Sequence, residues 1–342
     1  MQALVLQKPG EFLFQSLPEP ASPGPDEALV RIHRVGVCGT DLHAFAGRQP
    51  FFTYPRILGH ELGVEVLAIG SKVTHVQPGD RCAVEPYLNC GHCIACRQGK
   101  PNCCRSLQVL GVHTDGGHRA RMLVPAAKLH PSSKLNYDQL ALVETLGIGA
   151  HAVDRAQLKA GESVAVIGAG PIGLAVMQFA KAAGARVVAV DISATRLDFC
   201  RAQLGVDDLV DANIANVTEQ LEALTDGDLP TAVFDATGNP KSMQDSFVYP
   251  APGGRLIFVG LVQADISFHD PHFHRRELTL LATRNALPAE FTGIIAQIER
   301  GLIDTGPWIT HRAALPEVPA HFASWARPAT GVIKAMITVP GD

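Results

Sequence analysis

Five of the chain's eight cysteines lie in the stretch LNCGHCIACRQGKPNCC, Leu88 to Cys104. Cys90, Cys93, Cys96 and Cys104 follow C-x2-C-x2-C-x7-C. Thiolates two residues apart converge on one tetrahedral ion, about 2.3 Å from each sulfur, and four of them fill the coordination shell of zinc. A shell closed in this way has no position for a substrate. The expected metal is therefore a brace for the segment 88–106, which has too few apolar side chains to hold itself. Cys103 is a spare thiol, one residue out of the spacing. The alternative is a disulfide pair with free thiols, which needs an oxidising compartment. The N-terminal MQALVLQKPGEF meets a charge at Lys8 and carries no signal-peptide pattern. A four-thiolate site also fits a nucleic-acid module, so it does not by itself name a function.

A second set of donors lies apart in the sequence. VGVCGTDLHAF holds Cys38, Thr40, Asp41 and His43; RILGHELGVEV holds His60 and Glu61; ALVETLGIGAHAV holds Glu144 at the expected start of a helix. Cysteine, histidine and carboxylate are a competent zinc set, and three protein ligands leave a fourth position for water or substrate. Taken singly, each residue has a plainer reading. Cys38 serves as a small buried apolar residue, His60 as a core histidine and Glu144 as a helix cap or solvated side chain.

The third chemical signal is ESVAVIGAGPIGLAVMQFAKAAGARVVAVDIS. Ser163 to Ile167 reads as a buried parallel strand. Gly168-Ala169-Gly170-Pro171-Ile172-Gly173 then gives G-x-G-x-x-G, which permits a tight turn and close approach of the backbone to a pyrophosphate. The helix that follows offers its N-terminal amides to that anion. A second strand from Arg186 ends at Asp191, 18 residues past Gly173, the spacing of a dinucleotide fingerprint. The Asp191 carboxylate can accept both ribose hydroxyls of NAD. In NADP a 2′-phosphate would face that charge, at about 4 kcal/mol per like-charge pair near 4 Å and a dielectric near 20. No arginine directly follows Asp191, and Arg196 is expected against the adenine face. NAD is the expected cofactor.

These groups require elements to carry them. Further strands are expected at Ala232 to Ala236, Arg255 to Val259 and Leu278 to Ala282, with Val259 and Arg284 placed toward the cofactor. Alternating strands and helices argue for a doubly wound parallel sheet in an α/β protein. The first third is β-rich, cut by turns such as PEPASPGPDE. At 342 residues, 46% hydrophobic, the chain is long enough for two domains. Net charge is −4, with 29 basic and 33 acidic residues and no basic run, so no nucleic-acid partner is indicated. Ser163 to Ala180 lacks charge, but its glycines and proline break it into strand, turn and helix rather than a membrane span. A cytoplasmic location is expected. No repeat or low-complexity tract is evident.

Together, GVCGTDLH, GHE, the four-cysteine lobe and the glycine turn resemble the zinc-containing medium-chain dehydrogenases, in order and over nearly the whole chain. The resemblance is nearest to the polyol and sugar-acid branch, which includes sorbitol and threonine dehydrogenases. It implies a GroES-like catalytic domain at 1–145 carrying the lobe, a Rossmann NAD-binding domain at 146–284, and a C-terminal return to the catalytic domain at 285–342. The active site would lie in the cleft between them. It implies two zinc ions per chain, with Cys38 and His60 as constant ligands of the catalytic one. In this branch a glutamate replaces a second cysteine ligand; Glu144 stands at that position, and either Glu61 or Glu144 touches the metal. Asp41 is expected to accept a hydrogen bond from the other ring nitrogen of His60. Thr40 resembles the hydroxyl of a proton relay and His43 the histidine that passes the proton to solvent. The family commonly writes G-H-E-x-x-G; here Val64 takes the sixth place and the glycine is Gly63.

The implied reaction is hydride transfer from a secondary alcohol of a polyol or hexonate-like sugar acid to NAD, with L-threonine or another small alcohol as the alternative. Phe51, Phe52 and Tyr54, Arg284 and Asn285, and His113 and His118 are candidates for the substrate pocket. Relatives are dimers or tetramers, and Gly253 to Phe268 is a candidate edge for such assembly. Two rival readings are a zinc-free NAD(P)-dependent reductase of activated double bonds and a zinc-stabilised NAD-binding protein without turnover. The Cys38, His60 and Glu61 set argues against both.

Overall fold

In Glu27–Val37, Ala28, Val30 and Ile32 are buried while the residues between them are partly exposed. That period of two is the signature of a strand with one face on a core. The strand is the spine of the first of two units, Met1–Thr145 with Leu287–Asp342; the second unit is Leu146–Ala286. The computed structural model describes residues 1–49, 52–206, 208–214 and 216–340.

Among the described residues of the first unit, the main sheet runs in the order Leu129–Pro131, Arg81–Val84, Glu61–Ile69, Glu27–Val37, Lys334–Thr338, Ile309–Ala314. Arg121–Pro125 also pairs with Glu27–Val37. The register decides where the chemistry goes. Gly36 lies opposite Glu61, and Val37 opposite Ala335, both antiparallel. The end of one strand, the start of the second and the start of the third therefore meet, bringing Cys38, His60 and Lys334 to one end of the sheet. Beneath it, Val30, Ile32, Leu62, Val64, Ile337 and Phe322 belong to one buried cluster. A short antiparallel pair, Tyr87–Leu88 with Gln108–Val109, closes the base of the cysteine lobe.

Glu144 does not begin a helix: the helix is Tyr137–Ala156. Its start is set by Asn136 and Gln139, whose side chains each accept the other's backbone amide, at 3.0 and 2.9 Å. This reciprocal cap satisfies two amides that no helical carbonyl reaches. The shifted glycine of the GHE stretch has its cause here too. A Cβ on Gly63 would stand 2.2 Å from the Tyr137 carbonyl oxygen, so the close approach of this helix to the strand requires glycine at that place.

Among the described residues the second unit holds a six-stranded sheet, all parallel, in the order Asp208–Asp211, Arg186–Asp191, Ser163–Ile167, Ala232–Asp235, Arg255–Phe258, Thr279–Ala282. Helices Pro171–Ala182, Ala194–Leu204, Val217–Leu224 and Pro240–Asp245 fall between the strands. Val164, Ala165 and Val166 are wholly buried, as a strand covered on both faces must be. The strand order reverses on either side of Ser163–Ile167, and the carboxyl end of such a switch point is where ligands sit in open α/β sheets. One expectation is corrected: Arg255–Phe258 lies between two strands and is no edge, because Thr279–Ala282 pairs along it. Among the described residues the edges are Asp208–Asp211 and Thr279–Ala282. Among the described residues no helix is long and apolar enough to cross a membrane.

Candidate active site

Cys38, His60 and Glu61 each place one donor atom within 4.8 Å of the others. Cys38 precedes the helix Gly39–Phe45, whose first turn carries Asp41. The Cys38 amide donates to Asp41 Oδ2 at 2.9 Å, which pins the loop that presents the thiol. Asp41 Oδ1 faces His60 Nδ1 at 3.7 Å, an ion-pair separation and not the expected hydrogen bond. Neither atom has another partner among the described residues. Burial works against a charge on His60, but Asp41 and Cys38 outweigh it and hold the imidazole well above its ordinary pKa. Burial likewise raises the Asp41 carboxyl. A thiol, an imidazole and a carboxylate gathered in this way suit a cation of the zinc type.

Glu144 is buried nearby but lies outside that three-residue group. Its Oε1 accepts from the Tyr87 hydroxyl at 2.5 Å. Burial, reinforced by the charge of Glu61, raises the Glu144 carboxyl. Glu61 is held by Lys334, whose ammonium donates to both carboxylate oxygens at 2.7 and 2.8 Å. Gly36 makes room for this arrangement, since a Cβ there would stand 2.0 Å from Glu61 Oε2. Thr40 is half-buried and His43 exposed; three residues apart on one short helix, they share a side of it.

The cysteine lobe has its own geometry. Sulfur separations are 3.5 Å for Cys93–Cys96, 3.9 Å for Cys93–Cys104 and 3.4 Å for Cys90–Cys104. Four sulfurs on a tetrahedral zinc stand about 3.8 Å apart, whereas a disulfide needs about 2.05 Å. All eight cysteines are free. Backbone amides of Arg105 and Cys96 bring the Cys93 thiol down to about 6, which favours the ligating thiolate. Asn89 ties the lobe to the sheet. Its Nδ2 lies 3.8 Å from Cys96 Sγ, while its Oδ1 accepts from the buried Lys128, itself paired with Glu85.

In the second unit, Gly168 has φ +96°, and a Cβ on Gly173 would stand 1.7 Å from the Gly168 carbonyl oxygen. These two constraints account for the first and last glycines of the turn. Gly170 is the N-cap residue of the Pro171–Ala182 helix, and no side chain caps that end. The helix thus presents the amides of Ile172 and Gly173 to an anion. Asp191 accepts from the Ala169 amide at 2.6 Å and the Ser193 amide at 2.8 Å. Arg196 donates to the Ala169 carbonyl at 3.1 Å, so its guanidinium lies on the glycine turn itself. Val259 follows the Arg255–Phe258 strand with its amide on the Asp235 carbonyl at 2.9 Å; Arg284 is exposed beyond Thr279–Ala282.

The pocket candidates divide. Phe52 and Tyr54 meet edge to face at 4.8 Å, and both pack on the core of the first unit; Phe51 lies outside the described residues. His113 Nδ1 accepts the Val109 amide at 3.0 Å, holding a turn. His118 is fully buried, with neither ring nitrogen bonded among the described residues, and burial drives its pKa to about 3. It is a core side chain, unavailable to a polyol. Two residues at the site had no role in the sequence reading. Lys334 stands alone as a charge in the apolar run GVIKAMITV, a pattern that itself signals a buried ion pair. Tyr87 carried no comparable signal.

Residues 24–134 match the alcohol dehydrogenase GroES-like domain, and residues 171–300 match the zinc-binding dehydrogenase domain. An L-galactonate-5-dehydrogenase of Escherichia coli is 41% identical over 91% of both chains. A sorbitol dehydrogenase of Bacillus subtilis is 31% identical over 93% of this chain and 91% of its own. The solved galactitol-1-phosphate dehydrogenase of Escherichia coli superposes with a TM-score of 0.92 at 26% identity, covering 99% of this chain and 100% of the other. With the GroES-like unit, the parallel nucleotide sheet and the two donor clusters in place, this chain belongs to the zinc-binding medium-chain dehydrogenases, in their polyol and sugar-acid branch.

Proposed function

We propose that this enzyme oxidises a secondary hydroxyl of a polyol or hexonate-like sugar acid with NAD. The observation that carries the reading is the convergence of half-buried Cys38 with buried His60 and Glu61 at one end of the sheet. Relatives named for L-galactonate, sorbitol and L-idonate support the substrate class.

Cys38 and His60, with Glu61 or Glu144, would hold the catalytic zinc; Cys90, Cys93, Cys96 and Cys104 would hold a second, structural one. The first ion supplies Lewis acidity toward a hydroxyl, and NAD supplies the hydride acceptor. Asp41, facing His60 Nδ1, orients the imidazole so that its other nitrogen turns to the donor cluster. Thr40 Oγ1 would accept the proton of the reacting hydroxyl as its own hydroxyl hydrogen leaves toward His43, which, exposed on the same side of the helix, would pass a proton on to water. Gly168, Gly170, Pro171, Ile172 and Gly173 hold the pyrophosphate, Asp191 the adenosine ribose, and Arg196 steadies the turn; Val259 and Arg284 border the nicotinamide end. The substrate is small and polyhydroxylated.

A cytoplasmic setting agrees with eight free thiols. Assembly as a homodimer or homotetramer is part of the proposal, and the exposed Thr279–Ala282 edge, with Leu280 40% accessible, supports it. The test is a panel of hexonates, hexitols, L-threonine and simple alcohols with NAD, read at the NADH absorbance. Turnover highest on hexonates or hexitols is expected. Highest turnover on L-threonine or a simple alcohol rejects the substrate class, and none on any member rejects the activity.

A further inference from the structure

One ammonium group touches all three chain segments that furnish the open site. Lys334 Nζ donates to Glu61 Oε1 at 2.7 Å and Oε2 at 2.8 Å, to Thr145 Oγ1 at 3.1 Å and to the Val37 carbonyl at 3.3 Å. Val37 precedes Cys38, Glu61 follows His60, and Thr145 follows Glu144. The three N–H donors of a lysine are thus shared among one neighbour of each candidate ligand segment. Lys334 is 2% exposed and Glu61 0%, so the contacts are made out of water.

We propose that Lys334 is the positioning residue of the open site. Its ammonium draws the Cys38, His60–Glu61 and Glu144 segments together and pairs with the Glu61 carboxylate. The cluster is then assembled before an ion enters. The role suits lysine and not arginine. Its acceptors come from three separate segments, which suits a compact ammonium with freely directed donors better than a guanidinium whose donors lie in one plane. The last strand of the chain, Lys334–Thr338, thereby becomes part of the metal site although it supplies no ligand.

This inference rests on the zinc reading of Cys38, His60 and Glu61, and the test separates the two. Full-length protein is stripped with chelator, and zinc uptake is followed by metal analysis; cobalt uptake is followed by the visible spectrum. Wild type should take two zinc ions per chain. Lys334→Met should lose about 10- to 100-fold in affinity at the open site, with an altered cobalt spectrum, while the cysteine-lobe zinc stays. Lys334→Arg should not restore the affinity. Thr145→Val, which leaves the ion pair intact, should show a smaller, several-fold loss and serves if Lys334→Met does not fold. Wild-type open-site affinity and an unchanged cobalt spectrum in a folded Lys334→Met overturn the proposal. If that variant does not fold, the same result in Thr145→Val overturns it. A wild-type chain that binds zinc only at the cysteine lobe overturns the zinc reading instead.

Discussion

Tyr87 donates its hydroxyl hydrogen to Glu144 Oε1 over 2.5 Å, and both side chains are buried. Tyr87 lies two residues ahead of Asn89, which contacts the cysteine lobe, so this bond joins the lobe's base to the helix that carries Glu144. Tyr87→Phe keeps the ring and strands a buried carboxylate oxygen. The cost should be about 1–3 kcal/mol, read as a lower urea midpoint with an unchanged slope. A midpoint equal to wild type shows that the bond adds nothing to stability.

The two neighbouring cysteines at the end of the lobe should behave differently. Cys104 lies 3.4 Å from Cys90 and its sulfur also accepts the Cys90 amide at 3.2 Å, whereas Cys103 is exposed and outside the four-sulfur group. Cys104→Ser should lower the zinc content from two ions per chain to one and destabilise the protein. Cys103→Ser should leave both unchanged. Loss of zinc in the Cys103 variant would reassign the fourth ligand.

Much of this was readable from residue types and spacing, because the rules involved are local. The cysteine spacing foretold the lobe, and the glycine turn foretold a strand before it and a helix after it. What escaped is what depends on register. Nothing in the chain states that Val37 lies opposite Ala335, so the meeting of Lys334 with Glu61 could not be placed. The start of the Tyr137–Ala156 helix was within reach, since Asn136 and Gln139 have cap spacing. The buried state of His118 was not, because a histidine among polar loop residues looks the same whether it faces solvent or a core.

Thr40→Ala tests the proton path without disturbing the ligands. The helix that carries Thr40 is anchored by the Cys38 amide on Asp41, which this change leaves alone. Turnover should fall about 100-fold or more, as loss of a positioned proton acceptor does, with two zinc ions retained. Undiminished turnover removes Thr40 from the reaction.

Asp138 gives a pH dependence of stability whose sign can be worked out. It accepts from Arg34 Nε at 2.8 Å and from Arg312 at 3.2 and 2.7 Å, joining the Tyr137–Ala156 helix to two strands of the main sheet. Burial pushes its carboxyl up, but the two guanidiniums outweigh this and hold it below the ordinary carboxylate value. A folded-state pKa below the unfolded one adds stability above the unfolded value, which is lost as the pH falls through the folded one. With half of Arg312 exposed, the contribution is screened to about 1 kcal/mol. Asp138→Asn should therefore be less stable than wild type at pH 7, and the gap should close as the pH falls below about 4. A gap that is constant with pH would trace the effect to packing and not to charge.

Asp191 is the test of cofactor choice. Its carboxylate is fixed by the Ala169 and Ser193 amides, so it stands at the glycine turn in one orientation. A ribose 2′-phosphate brought near it meets a like charge, at about 4 kcal/mol for a 4 Å pair at a dielectric near 20. Asp191→Ala removes that repulsion and also the acceptor proposed for the ribose hydroxyls. The KM for NAD should rise and that for NADP should fall, narrowing the preference from both sides. Because the alanine variant also frees two amides, Asp191→Asn serves as the control. It keeps an acceptor for one of the two amides and loses the charge, so relief of NADP discrimination with a smaller loss of stability than in the alanine variant isolates the electrostatic part. A preference ratio unchanged in both variants would leave discrimination to other residues around the turn.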